Sequence, residues 1–181
     1  MSTNYFKTFF ILICFAFVLA CSSDETKSNP KAEVATRPTV PIMANEVQIG
    51  NQIWMTKNLN VSHYRNGDII PEVTDPTQWR DITTGAWCYY NNDTANGTVY
   101  GKLYNSYAVT DSRGLAPMGW HIPSQPELEL LITYLGGSVV AGGKLKSKTG
   151  WQSPNSGATN STGFTGLPAG SRWYNNFLAG G

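Results

Sequence analysis

Turn-forming residues crowd the middle of this chain: Asn66-Gly67-Asp68, Asp75-Pro76, Thr84-Gly85, Asn91-Asn92-Asp93 and Asn96-Gly97 follow one another between Arg65 and Asn105. Gly and Asn tolerate left-handed backbone, and Pro fixes φ and removes a donor, so each cluster interrupts whatever helix or strand precedes it. Long helices and broad sheets are excluded there. What remains is a loop-rich domain of short antiparallel strands with one or two short helices. Short aromatic pieces lie between the turns, notably Trp87-Cys88-Tyr89-Tyr90 and Leu103 to Val109; the second fits a strand or a short helix, and the helix is favoured.

Two local signals are sharper. Val47-Gln48-Ile49 and Gln52-Ile53-Trp54 alternate around Gly50-Asn51, which predicts a hairpin. Val47 and Ile49 share one face, while Ile53 and Met55 share a face of the return strand opposite Trp54. Further on, Ser124-Gln125-Pro126-Glu127 has the form of a capping box with Pro in the first turn. Leu128, Leu131, Tyr134 and Leu135 then recur at helical spacing and Gly136-Gly137 supplies the stop, so a helix is expected over residues 125–135. Gly142 to Asn160 reads as loop, and Gly163 to Gly170 as a short buried segment entering a turn.

Before the domain, residues 1–20 carry an unbroken apolar run from Thr8 to Ala20 behind Lys7. The run is too short to span about 30 Å of hydrocarbon and reads as a signal peptide. Its junction, Val18-Leu19-Ala20-Cys21, resembles the lipobox at which a bacterial lipoprotein is cut before an acylated cysteine. Cys21 is therefore the expected lipidation site, and two or three acyl chains would tether the protein stably to a membrane without crossing it. Ser22-Ser23-Asp24-Glu25 resembles the tracts behind the lipidated cysteine of surface-exported lipoproteins, which implies an outer-membrane and cell-surface address. Residues 21–45 are rich in Ser, Thr, Pro, Lys and Glu without apolar periodicity and read as a linker. The folded domain is expected over residues 46–181.

Removing the leader with Lys7 leaves twelve basic and twelve acidic residues. Such a neutral chain lacks the basic surface that neutralises several phosphates, so nucleic acid is not an expected partner. Cys14 leaves with the leader and Cys21 is committed to lipid, so Cys88 has no partner for a disulfide and is expected to be a buried small side chain.

The ordered blocks GNQIWMTKNLN, WCYYNND, NGTVYGKLYNSYAV, RGLAPMGWHIPSQPELELL, YLGG, AGGKLK, SPNSGATN and LPAGSR resemble the Fibrobacter succinogenes major paralogous domain over about residues 46–173. That family occurs in many envelope lipoproteins of Bacteroidota and brings no established activity. More distantly, Gly119-Trp120-His121-Ile122-Pro123-Ser124 ahead of the helix is similar to a signature of formylglycine-generating-enzyme-like domains. This likeness implies an α+β fold of the C-type lectin-like kind. The family's domain usually continues to a final strand, so the resemblance also implies that the C-terminal part is missing here and the domain is incomplete.

Chemistry is sparse. A formylglycine-generating activity uses two cysteines, and His63 and His121 are too few and too far apart in sequence for a zinc site. No spacing singles out a carboxylate pair or a Ser/His/Asp set, so no catalytic residue, metal or cofactor is expected. Ser153-Pro154-Asn155 lacks the carboxylate of calcium-dependent lectin tripeptides, and Asn91-Asn92-Asp93 reads as a turn before it reads as a Ca²⁺ site. Asp93-Thr94-Ala95 has the form of an O-glycosylation acceptor, which would place the sugar on Thr94. Six Trp enrich the chain in side chains that join a large apolar face to a polar tip. Trp79, Trp87, Tyr89, Tyr90, Trp151 and Trp173 are the candidate ligand contacts, with Trp87 and Trp120 the more core-like and Trp79 and Trp151 the more exposed. The expected function is a non-catalytic, lipid-anchored module that binds glycan or a surface protein. The alternatives are a surface hydrolase acting on polysaccharide or protein, distinguished by two carboxylates facing each other in a cleft, and a shortened paralogue without independent function.

Overall fold

In the computed structural model, residues 44–174 and 176–180 are described. The signal peptide, Cys21 and nearly all of the 21–45 linker lie outside the described residues. The elements run β1 (Glu46–Ile49), β2 (Gln52–Met55), α1 (Pro76–Asp81), β3 (Trp87–Cys88), a 3-10 turn (Tyr90–Asn92), α2 (Thr94–Tyr100), β4 (Leu103–Tyr104), α3 (Ser106–Val109), α4 (Gln125–Tyr134), α5 (Ser138–Leu145), β5 (Ser171–Trp173) and β6 (Asn176–Leu178). Among the described residues the strands pair as antiparallel two-stranded ribbons, β1 with β2, β3 with β4 and β5 with β6, and Trp87 of β3 also forms a parallel bridge to Glu72. The domain is thus mixed α and β with short antiparallel strands, as the turn density requires.

The first ribbon follows its alternation. Val47 faces Trp54 and Ile49 faces Gln52 across the ladder, and cross-strand partners share a face, so these four point inward together. Trp54 is fully buried. Helix α4 starts on the expected box: the Glu127 carboxylate accepts from the Ser124 backbone N–H at 2.7 Å and from its hydroxyl at 2.8 Å. Leu131 and Leu135 then join Ile49, Trp54, Ala141 and Phe164 in one core cluster. Tyr134 departs from the expected stripe. It is 65% exposed, and its ring lies over Gly50, at the tip of the first ribbon.

The second cluster gathers Leu59, Tyr64, Ile70, Trp87, Tyr104, Ala108 and Leu115. Here side chains take over the work that a wider sheet would do for the backbone. The Asn105 amide caps α3 by accepting from Ala108 N–H at 2.9 Å, accepts from Ala86 N–H at 3.0 Å and donates to the Thr84 carbonyl at 2.9 Å. Trp87 donates its indole N–H to the Ile70 carbonyl at 2.8 Å. The Arg65 guanidinium donates to the carbonyls of Ala116 and Trp120.

Helical content exceeds the one or two helices expected. Five short helices and the 3-10 turn occur among the described residues, and α5 occupies the start of the stretch read as loop from Gly142. Leu103 to Val109 divides into β4 and α3, combining the two readings of that segment. The ribbon β5–β6 was not foreseen. No single helix among the described residues is long and apolar enough to cross a membrane.

Candidate functional site

Helix α1 is held at its start by Asp75, whose carboxylate accepts from the Gln78 N–H at 2.7 Å, and by Pro76, whose fixed φ suits the first helical turn. It buries no residue fully, so something other than an apolar stripe must dock it. That something is Arg172 of β5, which is 4% exposed. Its guanidinium lies 4.5 Å from the centre of the Trp79 ring and 5.1 Å from that of Phe177. It donates to the carbonyls of Val73 at 2.7 Å and Thr74 at 3.0 Å. Phe177 in turn meets Tyr90 edge to face, with ring centres 5.6 Å apart. One cation therefore joins α1, the segment before it and the C-terminal ribbon.

Between α1 and that ribbon opens a cleft of about 360 Å³ lined by Pro76, Thr77, Arg80 and Tyr174. Tyr174, at φ 49°, turns the chain from β5 toward β6 and is 51% exposed. Its ring meets that of Trp173 edge to face at 5.1 Å. Arg80 is held bidentately by Asp81 at 2.7 and 2.8 Å. Their hydrogen bonds pull the Asp81 carboxyl below its ordinary range and push Arg80 above its own. Among the described residues no carboxylate pairs with Arg172, and its Nε has no hydrogen-bond acceptor.

The sequence candidates divide around this cleft. Trp173 stands beside it, exposed to 37%. Trp79 and Tyr90 are half-buried in the packing behind it. Tyr89 belongs to a neighbouring arrangement: it meets Trp87 edge to face at 5.1 Å, and the buried Lys102 ammonium sits 4.3 Å from the Trp87 ring and 5.5 Å from that of Tyr89. Trp87 is 7% exposed, in keeping with its core assignment, whereas Trp120 is half-buried. Trp151 belongs to the loop after α5. Its indole N–H donates to the Gly166 carbonyl at 2.9 Å and Lys146 lies over its ring. Thr94 is the exposed first residue of α2, capped by the Asp93 carboxylate.

Tyr174, Arg80 and Arg172 are the site residues that sequence reasoning missed. A signal existed in Ser171-Arg172-Trp173-Tyr174-Asn175-Asn176-Phe177, where an Asn pair separates two aromatic-bearing runs as in a hairpin. Arg172 itself carries no such mark, since an arginine in a short strand is ordinarily at the surface.

Other polar clusters serve the scaffold. Asp68 and Asp111 both hydrogen-bond Arg113, at 3.0 and 2.7 Å, and these bonds hold the two carboxyls below their ordinary range. His121 Nε2 lies 2.9 Å from Glu127 in the capping box of α4. Cys88 is fully buried, and burial pushes its thiol up against the opposing pull of nearby Arg172. The Asn92 amide donates to the Thr74 carbonyl at 3.0 Å and the Asp93 carboxylate accepts from the Ala95 N–H at 2.9 Å, so these two side chains of the Asn91–Asp93 turn are used within the scaffold. No group of three or more His, Cys, Asp or Glu side chains that could hold a metal occurs among the described residues.

Compared with known families, residues 47–179 match the sequence model described as the Fibrobacter succinogenes major domain. Comparison with curated proteins and with solved structures gives no match.

Proposed function

The chain belongs to the Fibrobacter succinogenes major domain family, and from that premise we propose that it is a lipid-anchored envelope protein whose domain binds glycan without catalysing a reaction. The observation that carries this reading is the cleft with Tyr174 in its wall and Trp173 at its side. Its volume of about 360 Å³ falls in the lower part of the range of small-ligand sites, roughly 300–1,000 Å³. Aromatic faces cover the apolar face of a sugar ring, while the Thr77 hydroxyl and the Arg80 guanidinium supply hydrogen-bond partners for its hydroxyls. The pairing of Arg80 with Asp81 orients the guanidinium but leaves it half-exposed, so it is available at the rim.

Two further elements belong to the same proposal. Cys21 carries the anchor, which brings the domain to the outer membrane and to the cell surface. The scaffold is of the C-type lectin-like kind, supported by the Gly119 to Ser124 segment that leads into the capping box of α4.

The test is glycan-array binding by the full chain in detergent micelles, followed by titration of each bound oligosaccharide against wild type and Tyr174→Ala. Retention of a set of glycans and at least a tenfold affinity loss in the variant, with unchanged thermal unfolding, is expected. An array on which nothing is retained rejects glycan binding. Metabolic labelling with a radioactive fatty acid that persists in Cys21→Ala rejects the anchor.

A further inference from the structure

We propose that the glycan taken by the cleft is acidic, a saccharide bearing carboxylate or sulfate groups; this rests on the glycan-binding reading above and specifies its chemical class. Three features of the cleft point the same way. Among the described residues that line it, Pro76, Thr77, Arg80 and Tyr174, the one formal charge is positive. Asp75 is adjacent, but its carboxylate is turned to the Gln78 N–H as the cap of α1. Behind the cleft, between the two elements that wall it, lies the Arg172 cation. It is buried to 96% exclusion from solvent, bonded to neutral carbonyls and without a carboxylate partner among the described residues. A buried charge is screened less by salt and water than a surface one, so its field persists at the wall.

Asp81 is the competing anion. It holds Arg80 through Nε and Nη2, and the guanidinium has five N–H donors, so donors remain for a ligand. The two side chains are 53% and 58% exposed, and an exposed pair of this kind is weakly held. An acidic ligand can therefore share Arg80 with Asp81 or displace Asp81. A neutral sugar gains nothing from that exchange.

This arrangement predicts opposite effects from two neighbouring substitutions. Arg80→Gln removes the exposed cation and should weaken an acidic oligosaccharide about two- to fivefold. Asp81→Asn removes the internal competitor and should strengthen it by a few-fold. Asp81→Asn should not move the affinity for a neutral oligosaccharide more than about twofold, and Arg80→Gln, which also removes a partner for sugar hydroxyls, should weaken a neutral oligosaccharide less than an acidic one. Both residues are exposed, so neither change should disturb folding, which thermal unfolding checks.

The experiment titrates the full chain in detergent micelles, in its wild-type, Arg80→Gln, Asp81→Asn and Tyr174→Ala forms. The probes are a galacturonic acid oligosaccharide, a sulfated disaccharide and a neutral gluco-oligosaccharide, each at about 0.05 M and about 0.5 M salt. The expected result is tighter binding of an acidic probe, weakened by salt and moved in opposite directions by the two charge variants. Binding of the neutral probe equal to or tighter than both acidic ones, with Tyr174→Ala still damaging it, overturns the acidic class and leaves the glycan reading standing. Acidic binding that Arg80→Gln leaves unchanged also overturns the assignment to this cleft. If no probe and no array glycan binds, both readings fail together.

Discussion

Gly142 and Gly143 are adjacent in α5, and the structure assigns their replacement by alanine opposite signs. Helix propensity alone makes both changes favourable by about 1 kcal/mol, because alanine loses less backbone entropy. At Gly142 nothing lies within 4 Å of the added methyl, so that gain should be realised in full. At Gly143 the methyl is driven into the Gly157 carbonyl, a backbone group that cannot rotate aside. The loop cannot retreat freely either, since the Gly143 carbonyl accepts from Thr159 N–H at 2.8 Å, from Thr159 Oγ1 at 3.2 Å and from Asn160 N–H at 3.3 Å. Overpacking costs about 1–3 kcal/mol and each loosened hydrogen bond about 1 kcal/mol. Set against the propensity gain, Gly143→Ala should lose about 1–2 kcal/mol while Gly142→Ala gains about 1. At roughly 3 °C per kcal/mol for a domain of this size, the two melting temperatures should differ by about 6–9 °C and straddle wild type. Urea unfolding of the full chain followed by Trp fluorescence gives the free energies directly. If both variants are stabilised alike, the close approach of the 157–160 loop to α5 is refuted.

Removing the Asn105 amide should be the costlier change: Asn105→Ala strands the Ala86 N–H, on a fully buried residue, and the Thr84 carbonyl, while the Ala108 N–H keeps only the Asn105 backbone carbonyl at 3.1 Å, a loss of about 2–3 kcal/mol readable in the same urea assay. Cys88 should resist iodoacetamide in the native chain at about pH 8 and react fully after denaturation, because burial both excludes the reagent and keeps the thiol protonated; native labelling detected by mass spectrometry contradicts the packing of β3. Asp68 and Asp111 have folded pKa values held below their unfolded ones by Arg113, so their contribution is present above about pH 4 and is lost as pH falls through the folded values. Arg113→Gln should therefore flatten the acid limb of the stability profile, and an unchanged limb locates acid sensitivity elsewhere.

How much of this was legible depends on where each element draws its stability. The β1–β2 ribbon and α4 carry their instructions locally, in the Gly50-Asn51 turn and in the Ser124–Glu127 box, and both form where the sequence places them. Tyr134 fits the helical spacing yet ends outside the core, because the hairpin tip supplies a glycine surface for its ring, a contact 84 residues away in sequence. Helix α5 was hidden by the two glycines that read as breakers, one of which is required by the approach of Gly157. Helix α1 has six residues and no fully buried side chain, so it offered no periodicity to read. The family was legible from its blocks. Of the candidate contacts, Trp173 stands beside the cleft against Tyr174 and Trp79 and Tyr90 lie in the packing behind it. The cation that organises them could not be found, because nothing in Ser171-Arg172-Trp173 reveals that Arg172 points inward.

The polar pins explain why a domain of two-stranded ribbons holds together and why its cleft sits where it does. Two-stranded ribbons leave most of their outer edges without ladder partners, the Glu72–Trp87 bridge beside β3 being an exception, and buried backbone groups must then be satisfied by side chains or turns. Asn105, Trp87 and Arg65 do this in the central cluster, and Arg172 does it for Val73 and Thr74 at the C-terminal ribbon. The first three act within a shared core, whereas Arg172 joins two elements that bury little apolar surface of their own. The cleft wall is consequently held by charge-assisted hydrogen bonds and ring contacts. Arg172→Lys keeps the charge but cannot reproduce two directed donations between two rings. It should release α1 from the ribbon and weaken every ligand of the cleft alike, while the β1–β2–α4 core, which Arg172 does not touch, retains its exchange-protected amides. Loss of protection in α4 to the same extent as in α1 would show instead that the two regions unfold as one unit and that the cleft is not separately held.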